Sequence, residues 1–360
     1  MHLVGEVRAV RPDLPGVRYT ELAPAGRSVA RPPPFLLGPG NGGLLWDIFG
    51  EIETPSVGCY TFADVTVAPT GIPIRDGIAF YGESFMQPEC HVEHLAARLN
   101  REDLPVRAVP GPLAVLCGPG HETWGHWLTD FMPALWVLRQ AGQDLSTLRY
   151  LVPWDMRDFA PRLLFLAGIE PAQCVTYNYW QEILRTDLLL LPTFLRAGNR
   201  FAPCFADATS WWTGVVRTAS GAATADGPRL FVSRAQAPRE RVLQNRDVIE
   251  SMARDAGYRV VRPEALSIAA QIGLYAGARV IVGEYGSGLH GSVFSPAGTI
   301  VCGLRGTAPH PGFVQSGIAT ALRQEAAYVF GTTEGEVTQR FSVEPRLFRR
   351  ALELLEVVLF

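Results

Sequence analysis

Apolar residues along this chain come in short runs separated by turn residues, and the spacing inside the runs changes along the sequence. Over residues 61–85 the runs FADVTVAPTG, IPIRDG and IAFYGESF carry β-branched and aromatic residues with Gly, Pro and Asp between them, which predicts a β-meander. Before it, up to about Gly43, prolines and glycines interrupt any pattern (RPPPF at 31–35, GPGNGG at 38–43), so an irregular N-terminal lead is expected.

From residue 87 onward, strand-like runs alternate with helical spacing. Residues 91–100 are helical by composition, and 113–116 is strand-like and enters the turn CGPG. Trp124, Trp127, Leu128, Phe131, Leu135 and Leu138 then recur at helical spacing over 123–139, with Pro133 expected to kink that helix. Strands are predicted at 149–152, 174–177 and 187–191, with a helix at 158–167. Residues 206–228 hold a helical stretch, ATSWWTGVVR, and then the small-residue run TASGAATADGP, and are the best candidate linker.

The alternation resumes with strands at 229–232, 259–261, 280–282, 299–304 and 327–330 and helices at 248–256, 268–276 and 313–322, then an amphipathic helix at 345–358. Such alternation is the pattern of open α/β sheets. The expected organisation is a lead and meander over 1–86, a Rossmann-like domain over 87–219, a second over 228–340, and a C-terminal helix over 341–360.

Composition narrows the setting. With 360 residues, 48% hydrophobic and 19% charged, the chain can bury a large core, and a net charge of −3 gives no global signal for nucleic acid. Glu6, Arg8 and Arg11 interrupt the N-terminus before a signal-peptide run can form, and no apolar run approaches the ~18 residues of a membrane helix. A cytoplasmic protein is expected, with peripheral membrane association and oligomeric state left open. The six cysteines are scattered without a CxxC pair, which favours reduced thiols over a disulfide frame or zinc knuckle.

The stretch RVIVGEYGSGLHGSVF at 279–294 reads as strand, glycine turn and helix start, a place where free backbone N–H groups can hold a phosphate. Gly286 to Gly291 match GxGxxG, yet the next strand ends at Leu304-Arg305 without the acidic residue that holds a dinucleotide ribose, and the turn lies late in its domain. That argues against an NAD-dependent oxidoreductase. His121-Glu122 with His126 looks like a zinc helix, but five residues place the histidines about 140° apart. Ser287 lacks the glycines of a hydrolase elbow, and His91 with His94 has no third ligand. No metal site is expected.

Two groups remain. His126 and Asp130 are spaced i, i+4, so a carboxylate can orient an imidazole as a general base is usually arranged; packing roles among the tryptophans are the alternative. Ser233 and Arg234, with Arg241 and Asn245 following, lie just past a predicted strand, where open α/β sheets bind ligands and guanidinium groups can pair with phosphate.

In combination these residues resemble glycosyltransferase family 61, in particular its bacterial members of capsular polysaccharide synthesis; eukaryotic members transfer xylose, arabinose or N-acetylglucosamine. Three blocks over about 124–294 carry the resemblance. They are Gly125-His126-Trp127 with Asp130; Ser233-Arg234 with Arg241 and Asn245; and Pro263 to Ser267 through Gln271 to Gly283, Gly286, Ser287, Gly288, Leu289 and Phe294. The departures are Gly125 where Asn is usual, Tyr285 where His is common, and His290-Gly291 where Thr-Asn or a similar pair is usual.

The resemblance implies a GT-B-like α/β architecture, two Rossmann-like domains facing across a cleft, and inversion at the anomeric carbon without an obligatory metal. A nucleoside-diphosphate sugar would be the donor substrate, with no cofactor besides, and a glycan or polysaccharide hydroxyl the acceptor. Arg234, Arg241 and the N–H groups of Gly286, Ser287, Gly288 and Leu289 would neutralise the donor diphosphate, Ser233, Asn245 and His290 would belong to the same donor site, Glu264 would contact the ribose or base, and His126 or Asp130 would be the base. A non-catalytic carbohydrate-binding or assembly protein with a degraded site is the alternative, kept open by Gly125 and Tyr285.

Overall fold

The computed structural model describes residues 3–40, 47–82, 85, 87–178, 181–234, 241–308, 312–334 and 339–358. The chain divides into two compact units: residues 1–26, 53–197 and 207–216 form the first, and 27–52, 198–206 and 217–360 the second.

The first unit is built on a ten-stranded mixed sheet. Its parallel portion follows the order Cys174–Tyr177, Arg149–Pro153, Leu113–Val115, Ile183–Pro192, and the long strand Val57–Ala68 pairs antiparallel to the last of these. The strand earliest in sequence of these four, Leu113–Val115, is flanked by the second, Arg149–Pro153, and the last, Ile183–Pro192. Strand order therefore reverses between Leu113–Val115 and Ile183–Pro192. Leu113, Val115, Leu151, Leu184, Leu189 and Leu191 fill the core on this sheet together with Phe62, Val65 and Val67. Runs buried on both faces are what parallel strands require.

The second unit carries a six-stranded parallel sheet in the order Arg259–Val261, Arg229–Val232, Val280–Glu284, Ile300–Arg305, Glu325–Phe330, Leu36–Leu37. Leaving aside the last strand, this is the doubly wound order 2-1-3-4-5, which reverses between Arg229–Val232 and Val280–Glu284. The amphipathic C-terminal helix Pro345–Val358 buries Phe348, Ala351, Leu352 and Leu355 against this sheet's core, beside Phe231, Ile249 and Tyr258.

Several expectations change. The N-terminal residues are not an irregular lead: Glu6–Ala9 and Val17–Ala23 are strands of the first sheet, and Leu36–Leu37 is an edge strand of the second. Backbone pairing with distant strands overrides the local Pro and Gly signals there. The helical stretch expected at the start of the linker runs further than its pattern, as the helix Phe205–Ser220, which buries Phe205, Ala208, Trp212 and Val216 as one stripe. The helix expected after Gly288 is a six-residue 3-10 segment, Leu289–Phe294. Among the described residues, no helix is long and apolar enough to cross a membrane.

Candidate active site

The predicted helix over 123–139 is interrupted as Pro133 demands, but by widening rather than a plain kink. Trp124–His126 is helical, Trp127–Phe131 is a π turn, and Met132–Gln140 continues as α-helix. The Met132 N–H donates to the Trp127 carbonyl five residues back, where an α-helix would use the fourth. Pro133 has no N–H to give the Thr129 carbonyl, so a changed register at this point leaves the chain without an ordinary bond to break.

This turn presents His126 and Asp130 together. His126 Nδ1 lies 2.7 Å from Asp130 Oδ2. Asp130 is fully buried, whereas the His126 side chain is 31% exposed. A third residue joins them: Arg196 donates from Nε to Asp130 Oδ1 at 2.6 Å and from Nη2 to Oδ2 at 2.9 Å. Arg196 Nη2 also lies 3.3 Å from His126 Nδ1.

Burial by itself would raise the Asp130 pKa. The Arg196 charge and the hydrogen bonds from His126 and Arg196 outweigh that and hold the carboxyl well below the usual carboxylate range. Asp130 is therefore anionic and accepting, which assigns the proton on His126 to Nδ1 and leaves the lone pair on Nε2. The ring rests against the turn 118–123. A Cβ on Gly120, where φ is +83°, would fall 2.5–2.6 Å from three His126 ring atoms. In the same turn, the Trp127 indole N–H donates to the His121 carbonyl at 2.7 Å, and His121 Nε2 reaches Asp155 Oδ1 at 3.1 Å. Gly125 is buried in the helix's first turn.

His126 follows the strand Leu113–Val115 and Arg196 follows Ile183–Pro192. The cluster thus forms beyond the carboxyl ends of the two strands between which the sheet order reverses, the ligand-binding position of an open α/β sheet. Sequence reasoning missed Arg196. The available signal was charge inside apolar surroundings: Arg196 closes the run LLLLPTFLR, Asp130 sits in WLTDFMPALW, and two charges buried in one half must find each other.

In the second unit the reversal point gathers another set. Ser233, fully buried, and Arg234 follow Arg229–Val232; Tyr285 and Gly286 follow Val280–Glu284. The Arg234 guanidinium packs against Gly286, where a Cβ would overlap its Nη1. The N–H groups of Leu289 and His290 are used within the turn, by the carbonyls of Gly286 and Ser287 at 3.0 and 3.2 Å. Those of Gly286, Ser287 and Gly288 donate to no group among the described residues. The turn's available donors are thus 286–288, and Leu289 and His290 offer none from the backbone.

Glu284 organises this corner and was also missed. It is buried, and its carboxylate accepts from Arg246 Nε at 2.7 Å and Nη2 at 2.9 Å, and from the Arg234 N–H at 3.0 Å. The other expected donor contacts divide. The Asn245 side chain holds the Val343 backbone at both ends, Nδ2 to O at 2.7 Å and Oδ1 from N–H at 3.2 Å, so its amide serves the fold. Glu264 is exposed on the 3-10 turn Pro263–Ala265, and His290 is half-buried. Arg241 begins the strand Arg241–Leu243, and its side chain lies outside the described residues.

Tyr285, the least family-like position, is buried in the core of its unit. Its hydroxyl donates to the Gly312 carbonyl at 2.8 Å and accepts the Gln315 N–H at 3.3 Å, and the Arg305 guanidinium lies 5.2 Å above its ring. Among the described residues, no group of three His, Cys, Asp or Glu side chains could hold a metal ion.

A family model described as Glycosyltransferase 61 matches residues 124–302. The chain carries a glycosyltransferase 61 domain. Its matched region starts at the first residue of the His126 helix, ends within the strand Ile300–Arg305, and contains both reversal-point clusters. The protein is accordingly a glycosyltransferase, and such enzymes use a nucleotide-sugar donor and a glycan acceptor. No curated protein matches the chain.

Proposed function

We propose that this glycosyltransferase moves a sugar from a nucleoside diphosphate to a hydroxyl of a glycan acceptor in a single inverting displacement, without an obligatory metal, on the GT-B plan. The setting we propose is surface polysaccharide synthesis on the cytoplasmic side of the membrane. The observation that carries this reading is the hydrogen bond between His126 Nδ1 and Asp130, which leaves Nε2 as the acceptor nitrogen of a side chain that is 31% exposed.

In this scheme His126 is the base and Asp130 orients it. A carboxylate already gripped by a guanidinium and pushed far below the usual range is a poor proton acceptor. Nε2 takes the acceptor proton as the hydroxyl oxygen attacks the anomeric carbon, and the nucleoside diphosphate departs. Charge building on that leaving group is met by Arg234 and by the N–H groups of Gly286 to Gly288, with Arg241 as a second cation. Donors fixed before the reaction can perform the electrostatic task that a metal performs elsewhere.

The glycine turn follows the third strand of its doubly wound sheet, whereas the dinucleotide fingerprint belongs to the first βα turn. That weighs against the oxidoreductase reading. A screen of nucleotide sugars tests the proposal, with His126→Gln in parallel. Donor-dependent transfer is expected for the native enzyme, with a loss of two to four orders of magnitude in the variant. His126→Gln at native rates would sink the base assignment.

A further inference from the structure

We infer that Arg196 is a positioning residue that serves as the counterion of Asp130, so that His126 stands beside the carboxylate uncharged and aimed, ready to take a proton at Nε2. The inference rests on the reading of His126 as the base.

The charge count comes first. Asp130 is fully buried, and Arg196 is buried beside it with Nε and Nη2 on the two carboxylate oxygens. A buried carboxylate demands a cation. If Arg196 were absent, the hydrogen-bonding partner left to Asp130 among the described residues would be His126, 2.7 Å away. The imidazole would then be held as the imidazolium to balance Asp130, and a protonated base cannot accept the acceptor hydroxyl's proton. With Arg196 in place the ion pair is neutral by itself. Its Nη2, 3.3 Å from His126 Nδ1, places positive charge beside the ring, which disfavours a second proton on the imidazole.

Geometry makes the same point. Asp130 Oδ2 accepts from both His126 Nδ1 and Arg196 Nη2, so the guanidinium fixes the oxygen that fixes the ring. Among the described residues, the side chains hydrogen-bonded to Asp130 are His126 and Arg196. The turn 118–123 meets the ring through Gly120; His121 in that turn is hydrogen-bonded to the Gly118 carbonyl and to Asp155, and Glu122 is exposed. During transfer the proton passes from the acceptor oxygen to Nε2. The Nδ1 proton stays on its nitrogen, and Asp130 keeps its charge.

The test follows the His126 imidazole by NMR titration, assigned by comparison with His126→Gln, and in parallel the pH profile of kcat/KM for sugar transfer. The proteins are the native enzyme, Arg196→Met, Arg196→Lys, Asp130→Asn and the double variant Asp130→Asn with Arg196→Met. In Arg196→Met the titration and the acidic limb of the profile are expected to move up by a unit or more. Transfer near neutral pH then falls about tenfold per unit and recovers as the pH rises.

Arg196→Lys keeps the charge and should restore most of both. Asp130→Asn moves the titration down, and the double variant brings it back towards native. If Arg196→Met does not fold, the opposite shifts of Asp130→Asn and the double variant still decide. A folded Arg196→Met whose titration is unmoved, or whose activity loss is the same at every pH, overturns the proposal. If the titrations move as stated but no protein transfers sugar from any donor, the charge balance stands and the base reading fails.

Discussion

Arg246 and Glu284 meet through two parallel hydrogen bonds, Nε to Oε1 at 2.7 Å and Nη2 to Oε2 at 2.9 Å, and the same carboxylate holds the Arg234 backbone N–H at 3.0 Å. One buried acid therefore sets where the chain leaves the strand Arg229–Val232. Glu284→Gln keeps the size and removes the charge. The expected cost is about 1.5–3 kcal/mol, the scale of hydrogen bonds to charged groups, because Arg246 still reaches solvent. Urea unfolding measures this. Nucleoside-diphosphate titration calorimetry should show weaker binding in the same variant.

Under the proposed function Arg234 acts on the donor rather than on stability. Arg234→Ala should weaken nucleoside-diphosphate binding roughly 10–100-fold, the size of one charge-assisted contact. Gly286→Ala should weaken it as well, because the added methyl would occupy the place of the Arg234 Nη1. Unchanged dissociation constants for both variants would remove the diphosphate from this corner.

Gly120 tests the orientation of the proposed base, His126, without touching the ion pair. Its φ of +83° disfavours any side chain, and a Cβ would lie 2.5–2.6 Å from the His126 ring. Gly120→Ala is expected to cost about 1–2 kcal/mol of stability for the left-handed backbone. Sugar transfer should fall far more than this implies, by at least tenfold, while donor binding holds. Equal donor affinity and native turnover would show that the ring tolerates displacement.

Asp130 also gives a stability signature with a definite sign. Its folded pKa lies below the unfolded value near 3.9, so its contribution is complete above about pH 5 and is lost as the pH falls towards the folded value. At pH 7 Asp130→Asn should lose about 3–5 kcal/mol, since Arg196 is left buried without its partner. The gap to the native protein should narrow below about pH 4, because only the native chain has this carboxylate to protonate. Parallel stability curves between pH 7 and 3 would contradict the ion pair.

The alternating strands and helices of both units were readable because each carries its own local period, and the His126–Asp130 pair was readable because i, i+4 spacing is a local fact. Arg196 was not, since it lies 66 residues from Asp130 and the two meet only where the sheet reverses its strand order. Glu284 was hidden for the same reason: a charge at the end of VIVGE looks like the edge of a strand until Arg246 and Arg234 are folded onto it. Tyr285 read as a departure at a ligand position, but its hydroxyl is committed to the Gly312 and Gln315 backbone. The N-terminal strands were obscured by their own prolines and glycines, which describe local bends and say nothing of distant partners.

The edge strand Leu36–Leu37 bears on how the protein is made. Its partner residues are Tyr328 and Val329, so a ribosome delivers the strand roughly 290 residues before anything it can pair with. At about 5–20 residues per second that interval is on the order of 15–60 s. The six-stranded sheet therefore cannot complete its edge until Glu325–Phe330 has been synthesised, and until then the nascent chain carries Leu36–Leu37 without that partner. Synthesis of the distant partner strand, rather than of the edge strand itself, is the event that lets this sheet close.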